Sequence, residues 1–180
     1  TRVDNLPSIL ANGLLTKEAR AVAGIEAVIN DPYRYDGTGA VSATISYPNY
    51  KMFYRLRCDH PKTEWVVLKL TYSLLWRTRC AFSSTNAGDG SVFNIPIAER
   101  QGLPALHSMF SDYENIKRAT LGIPDHYTTN PQAEVLLLDG ASVGDITGVY
   151  FEQAATFKQY KPLLLNLPCY CNGTLFGGRR

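Results

Sequence analysis

The apolar stretches of this chain are short, and the strongest of them opens on a charge. Ala133 to Leu138 is the best strand signal in the sequence, with Val135-Leu136-Leu137-Leu138 introduced by Glu134. Leu163 to Leu165, the other long apolar run, also has the length of a buried strand. Nothing approaches the roughly 20 apolar residues that span a bilayer, and no basic-then-apolar signal segment opens the chain.

At 180 residues, 45% of them apolar and 19% charged, the chain has the size of one ordinary domain. A domain this long buries about 70% of its unfolded surface and needs no disulfide or metal to fold. The composition excludes disorder, collagen and coiled coil. Lys and Arg number 18 against 16 Asp and Glu, a net charge of +2. That excludes holding nucleic acid by bulk charge and leaves room for a local basic groove. Four Cys, at 58, 80, 169 and 171, are too sparse for a disulfide scaffold. Cys169-Tyr170-Cys171 has one intervening residue and no His or second Cys pair at zinc spacing, so no metal site is expected. Reduced thiols in a cytosolic protein are the simpler reading.

The order of elements is mixed. Thr1-Arg2-Val3 reads as the last residues of a strand whose beginning is missing, and Asp4-Asn5 offers a cap to a helix with Pro7 in its first turn and Gly13 at its end. Thr16 is a second cap, with Lys17 to Val28 helical in part. Asn30 to Gly39 is turn chemistry around Tyr33-Arg34-Tyr35. Val41 to Ser46 alternates as a strand, and Pro48 begins a helix bearing Tyr50, Phe53, Tyr54 and Leu56. Strands are expected at Trp65 to Leu70, Cys80 to Ser83, Ala133 to Leu138, Thr147 to Phe151 and Leu163 to Leu167. Helices are expected at Leu103 to Phe110, Tyr113 to Ala119 and Gln153 to Gln159. Strands interleaved with helices, without regular βαβ spacing, predict an α+β fold with a mainly antiparallel sheet.

Several chemistries are absent from the motif content. There is no Gly-x-Gly-x-x-Gly, no Walker-type loop and no Gly-x-Ser-x-Gly elbow. His60, His107 and His126 lack metal-like spacing. Glu134 stands out because charged residues rarely head a buried strand unless paired or functional. Gln132 lies two residues earlier, and side chains at i and i+2 of a strand share a face, so both can reach one cleft. A strand-edge carboxylate in water fits the same spacing. Lys51, Arg55 and Arg57 lie among Tyr47, Tyr50, Phe53 and Tyr54, a mixture suited to a single strand of nucleic acid. An amphipathic helix with buried aromatics and solvated cations fits it as well.

Three blocks carry a resemblance. Gln132-Ala133-Glu134 at a loop-to-strand junction resembles the signature of the ADP-ribosyltransferases. Thr1-Arg2-Val3-Asp4-Asn5-Leu6-Pro7-Ser8-Ile9-Leu10 with Gly13-Leu14-Leu15, and Ser46-Tyr47-Pro48-Asn49-Tyr50-Lys51-Met52-Phe53-Tyr54, resemble the DarT toxins, which ADP-ribosylate bases in DNA. Order and spacing agree over most of the chain, and Trp76 to Tyr127 is the least distinctive part.

The resemblance implies an ADP-ribosyltransferase-like fold over residues 1–180, a split of two small packed sheets with flanking helices. It implies a cytoplasmic toxin of a toxin–antitoxin pair, with NAD as co-substrate, single-stranded DNA as acceptor, a cognate antitoxin and no metal. Glu134 would be catalytic, and Arg34 would pair with phosphate and help activate the base. Thr1 and Asn5 would line the NAD pocket, and Ser46 and Met52 would contact the nicotinamide and ribose. Gln132, Tyr47 and Lys51 would face the acceptor. The family also has a His two residues before the position of Thr1. Rival expectations are a transferase acting on RNA or protein, a non-catalytic single-strand binding module of the same fold, and an NAD glycohydrolase.

Overall fold

The computed structural model describes residues 1–29 and 38–179. Two three-stranded sheets organise it, as the resemblance implies. The first has the order β1-β4-β3, built from β1 (Val41–Ala43), β3 (Cys80–Ser83) and β4 (Glu134–Leu137), all antiparallel. The second has the order β2-β5-β6, with β2 (Val66–Leu70) antiparallel to β5 (Ile146–Phe151) and β6 (Cys169–Cys171) parallel to it. The helices are α1 (Leu6–Asn12), α2 (Lys17–Ala23), α3 (Tyr50–Asp59), α4 (Leu74–Arg77), α5 (Gly90–Phe93), α6 (Gly102–Ser108) and α7 (Ala154–Tyr160).

The central strand β4 is buried on both faces, which explains its unbroken apolar run. Val135 and Leu137 pack with Phe82, Leu74 and Met109 on one face. Leu136 packs with Ala40, Ala81 and Ala87 on the other, where small residues let neighbouring backbone come close. In the second sheet Val66, Val149 and Phe151 meet Val3, Leu6 and Ile9 from the amino-terminal segment. Leu14 and Leu70 touch both cores and join the two halves. Beside Leu14, Gly13 (φ +80°) and Gly140 (φ +73°) flank a two-way backbone bridge between Leu14 and Ala141. A Cβ at Gly13 would lie 2.4 Å from the Ala141 carbonyl oxygen, and one at Gly140 2.2 Å from that of Leu14, so glycine is required at both.

Most predicted elements are present with shifted ends. Thr16 caps α2 by accepting from the Ala19 N–H, and Gly24 closes that helix in a left-handed turn. Arg2 bridges Trp65, and the Val66 N–H donates to the Thr1 carbonyl, so the chain does open on a strand-like pairing before a 3₁₀ turn at Val3–Asn5. The strand predicted to reach Ser46 ends at Ala43, and α3 starts at Tyr50 under an Asn49 cap rather than at Pro48.

Two expectations fail. Tyr113 to Ala119 is not a helix. Tyr113 and Ile116 close a tight turn around Glu114 at φ +50°, and Asp112 accepts from the Arg118 N–H and the Lys117 ammonium, leaving only a 3₁₀ turn at Arg118–Thr120. Leu163 to Leu167 is not a strand. Pro162, which has no N–H for a ladder, sits in a 3₁₀ turn at Lys161–Leu164, and Leu165 follows at φ +46°, largely exposed. The last strand is β6, where no strand was expected.

Candidate active site

Glu134 is the first residue of β4 and is buried at 6% exposure. Its Oε2 accepts the N–H of Ala87, 2.7 Å away, from the turn that follows β3. Ala87 has no side chain large enough to hold that turn off. Ser83 is the register partner of Glu134 on β3, so their side chains share a face of the sheet. The Ser83 hydroxyl accepts from Nη1 of Arg100 at 3.1 Å, and Arg100 is itself buried. A buried carboxylate, and a buried guanidinium that donates to the neighbouring Ser83 hydroxyl, therefore lie on one face of the sheet. The strand-edge reading, a Glu in open water, does not hold.

Gln132 reaches this end of the sheet by another route than the one predicted. It lies in a turn before the strand, where its N–H donates to Asn130 Oδ1 at 3.0 Å, and the Ala133 N–H donates to the Asn130 carbonyl at 3.1 Å. The strand-face argument therefore does not apply. An Asx turn, with Asn130 buried, sets the position of Gln132.

The chain leaving β1 runs alongside, because Ala43 pairs with Val135. Ser46 takes φ +64°, a costly conformation for a residue with a Cβ, and its hydroxyl donates to the His126 carbonyl at 2.8 Å. The Tyr47 ring lies 5.6 Å from that of Tyr127, and its hydroxyl donates to the Thr174 carbonyl. Met52 is exposed at the start of α3, and Lys51 beside it is exposed too. Asn49 is buried. Its Oδ1 caps the Met52 N–H, and its Nδ2 is enclosed without a hydrogen-bond partner.

Ser46 and Tyr47 thus follow β1 and Gln132 precedes β4 at the Glu134 end of the first sheet, while Lys51 and Met52 open α3, which packs on Trp65 and Phe176. Thr1 and Asn5 form a second group beside the other sheet. Asn5 Nδ2 donates to the Thr1 hydroxyl and to the Val28 carbonyl, and Asn5 Oδ1 accepts the Val28 N–H, both Val28 bonds at 2.9 Å. The Asn5 amide fastens the chain just before residue 30 instead of capping α1. Arg34 lies outside the described residues. Two of the three cations of the cluster on α3 are paired, Arg57 with Glu152 and Arg55 with Asp59.

Other residues escaped the sequence reading. Arg118 donates to the carbonyls of Tyr127 and Asp125, at 2.7 and 2.8 Å, and Arg179 to those of Thr128 and Thr129, at 2.6 and 2.7 Å. Burial pulls the Arg179 pKa down, with the nearby Tyr50 acting against this. Neither arginine, nor Arg100, stands in a recognisable motif. The sequence reading missed the Asn49 cap, whose signal is an Asn directly ahead of an amphipathic stretch. Among the described residues no group of three or more His, Cys, Asp and Glu is placed to hold a metal, and no helix is long and apolar enough to cross a membrane.

Two small sheets with flanking helices and a buried Glu at the head of a central strand make this an ADP-ribosyltransferase fold. The chain belongs to the DarT family: residues 1–168 match the family model described as ssDNA thymidine ADP-ribosyltransferase, DarT. Among solved structures it is similar to Thermosipho africanus DarTG in complex with ADP-ribose, with a TM-score of 0.67 and 17% identity. That match covers 98% of this chain and 49% of the other, so the chain spans about half of the Thermosipho protein. It is also similar to Thermus sp. 2.9 DarT in complex with NAD+, with a TM-score of 0.59 and 12% identity over 98% of this chain and 94% of that one. No curated protein matches the chain significantly.

Proposed function

We propose that the 180 residues act as one catalytic domain that transfers ADP-ribose from NAD to a thymidine base in single-stranded DNA. The observation that carries the reading is Glu134, a buried carboxylate at the mouth of β4 with its Oε2 held by the Ala87 N–H, in a chain of the DarT family. Leu14 and Leu70, shared by the two cores, support a single unit.

The residues fit the dinucleotide's chemistry. Breaking the bond between nicotinamide and ribose leaves positive charge on the anomeric carbon. A fixed carboxylate stabilises that charge most when it is already oriented and shielded from water. The bond broken is glycosidic, so this is glycosyl transfer, and a nucleotidyl transfer finds no support. Asn49 Nδ2, buried without a partner, offers a donor beside the segment assigned to the nicotinamide and ribose through Ser46 and Met52. Thr1 and Asn5 would line the NAD pocket from the other sheet. Gln132 can give a donor and an acceptor to a base edge, with Tyr47 and Lys51 along the acceptor strand. Arg34 would pair with phosphate and assist removal of the base proton. A base modified at its pairing edge must be unpaired, which favours a single strand.

Such an enzyme damages the DNA of its own cell, so an antitoxin that reverses or blocks it belongs to the reading, with both acting in the cytoplasm. The similarity to half of the Thermosipho DarTG chain supports that pairing. The test is incubation with labelled NAD and, side by side, single-stranded DNA, duplex DNA, RNA and mixed protein. Label is expected in single-stranded DNA. Label in RNA or protein would move the acceptor, and nicotinamide release with no labelled acceptor would make the protein a glycohydrolase.

A further inference from the structure

The carboxyl-terminal segment crosses from one sheet to the loop that feeds the other. It leaves the second sheet at β6, and Asn172 caps a 3₁₀ turn at Gly173–Phe176. Phe176 is buried with its ring 5.5 Å from that of Phe53 on α3. Carbonyls of the turn accept from Tyr47 and Arg57. Arg179 then spreads its two terminal nitrogens over the Thr128 and Thr129 carbonyls.

Residues 124–131 form neither strand nor helix, so their carbonyls have no ladder, and the buried ones at Thr128 and Thr129 need partners from other segments. Two guanidiniums supply several of them, and their reaches meet at Thr129. Arg118 holds the carbonyls of Asp125 and Tyr127, on either side of His126, whose own carbonyl receives the Ser46 hydroxyl. Arg179 holds Thr128 and Thr129, which lead through the Asn130 turn to Gln132. Arg118 therefore supports the part of the loop joined to Ser46 and also donates to the Thr129 hydroxyl at 3.2 Å, while Arg179 holds the Thr128 and Thr129 backbone that leads to Gln132. Arg179 also lies beyond residues 1–168, the stretch that matches the family model.

We propose that Arg179 is a positioning residue for the acceptor: its fork on the Thr128 and Thr129 carbonyls sets Gln132, so that a DNA base rather than water meets the ribosyl centre. The inference rests on the transferase reading given above. It depends on the planar fork, since a Lys ammonium is a point charge that cannot span two carbonyls in the same fixed geometry.

The experiment compares the wild-type chain with Arg179→Ala and Arg179→Lys. Both variants are expected to raise KM for a thymidine oligonucleotide about tenfold, the effect of losing one charge-assisted hydrogen bond. Both are expected to release more nicotinamide per base modified, while KM for NAD stays unchanged. Equal changes in the two KM values, no change in either, or full rescue by Lys would each overturn the inference. Hydrogen exchange of residues 124–131 separates its failure from failure of the transferase reading. Faster exchange in Arg179→Ala upholds the fork even if no DNA is modified, and unchanged exchange overturns it.

Discussion

Replacing Glu134 by Gln keeps the shape of the side chain and removes its charge. The structure predicts unequal effects on stability and catalysis. Glu134 is buried, and its Oε2 accepts one backbone N–H at 2.7 Å. A hydrogen bond to a charged group contributes about 1.5–3 kcal/mol and a neutral one about 1 kcal/mol, so Gln, still an acceptor for Ala87, costs about 1 kcal/mol. For a chain of this size that lowers Tm by about 2–4 °C. Removing a preoriented group that stabilises transition-state charge costs about 3–4 kcal/mol, or roughly 10²–10³ in rate. The assay is thermal unfolding beside single-turnover transfer from labelled NAD. Transfer at the wild-type rate in folded Glu134→Gln would refute the reasoning. So would a loss of activity that merely follows the fraction unfolded.

Gly13→Ala and Gly140→Ala each set a Cβ against a carbonyl oxygen at positive φ, and each should lower stability by about 2–3 kcal/mol, read as a Tm drop of about 5–10 °C. Asp145 is held below the usual carboxylate range, first by the Ser142 hydroxyl and then by the Ser142 N–H and Arg77 against the opposing effect of burial. Its pairing therefore stabilises the fold at neutral pH and is lost as pH falls from about 4 through its lowered native pKa. The stability gap between wild type and Asp145→Asn should shrink over that range in urea titrations at stepped pH. Burial pushes the Cys80 thiol up, while Cys58 and Cys171 are exposed, so alkylation followed by intact mass should label 58 and 171 first and 80 last.

Local chemistry was legible in the sequence wherever one residue decides the outcome. Thr16 caps α2, and the apolar run after Glu134 is the central strand, because capping and burial act within a few residues. The fold class followed from the alternation of short elements. Leu163 to Leu167 misled because a 3₁₀ turn that buries only Leu164 shows the same apolar run as a buried strand, and Pro162 was the decisive residue. Tyr113 to Ala119 misled because Asp112 draws the backbone into a turn.

Among the candidate site residues, Glu134 stands out in the sequence as a charge heading an apolar strand and is buried at the head of β4, while an Asx turn and not strand periodicity places Gln132. Arg100, Arg118 and Arg179 do not stand out. Their partners lie 17, 9 and 51 positions away in the chain, counting Ser83, Tyr127 and Thr128, and no local pattern records such contacts.

The central claim is that a thymine base in single-stranded DNA receives ADP-ribose from NAD. Mass spectrometry of two short oligonucleotides, one with a single thymine and one with none, tests it after incubation with the protein and NAD. The account predicts a gain of one ADP-ribose on the first, localised to the thymine base by fragmentation, and none on the second. A gain on the oligonucleotide without thymine, or no gain on either while nicotinamide is released, would contradict it.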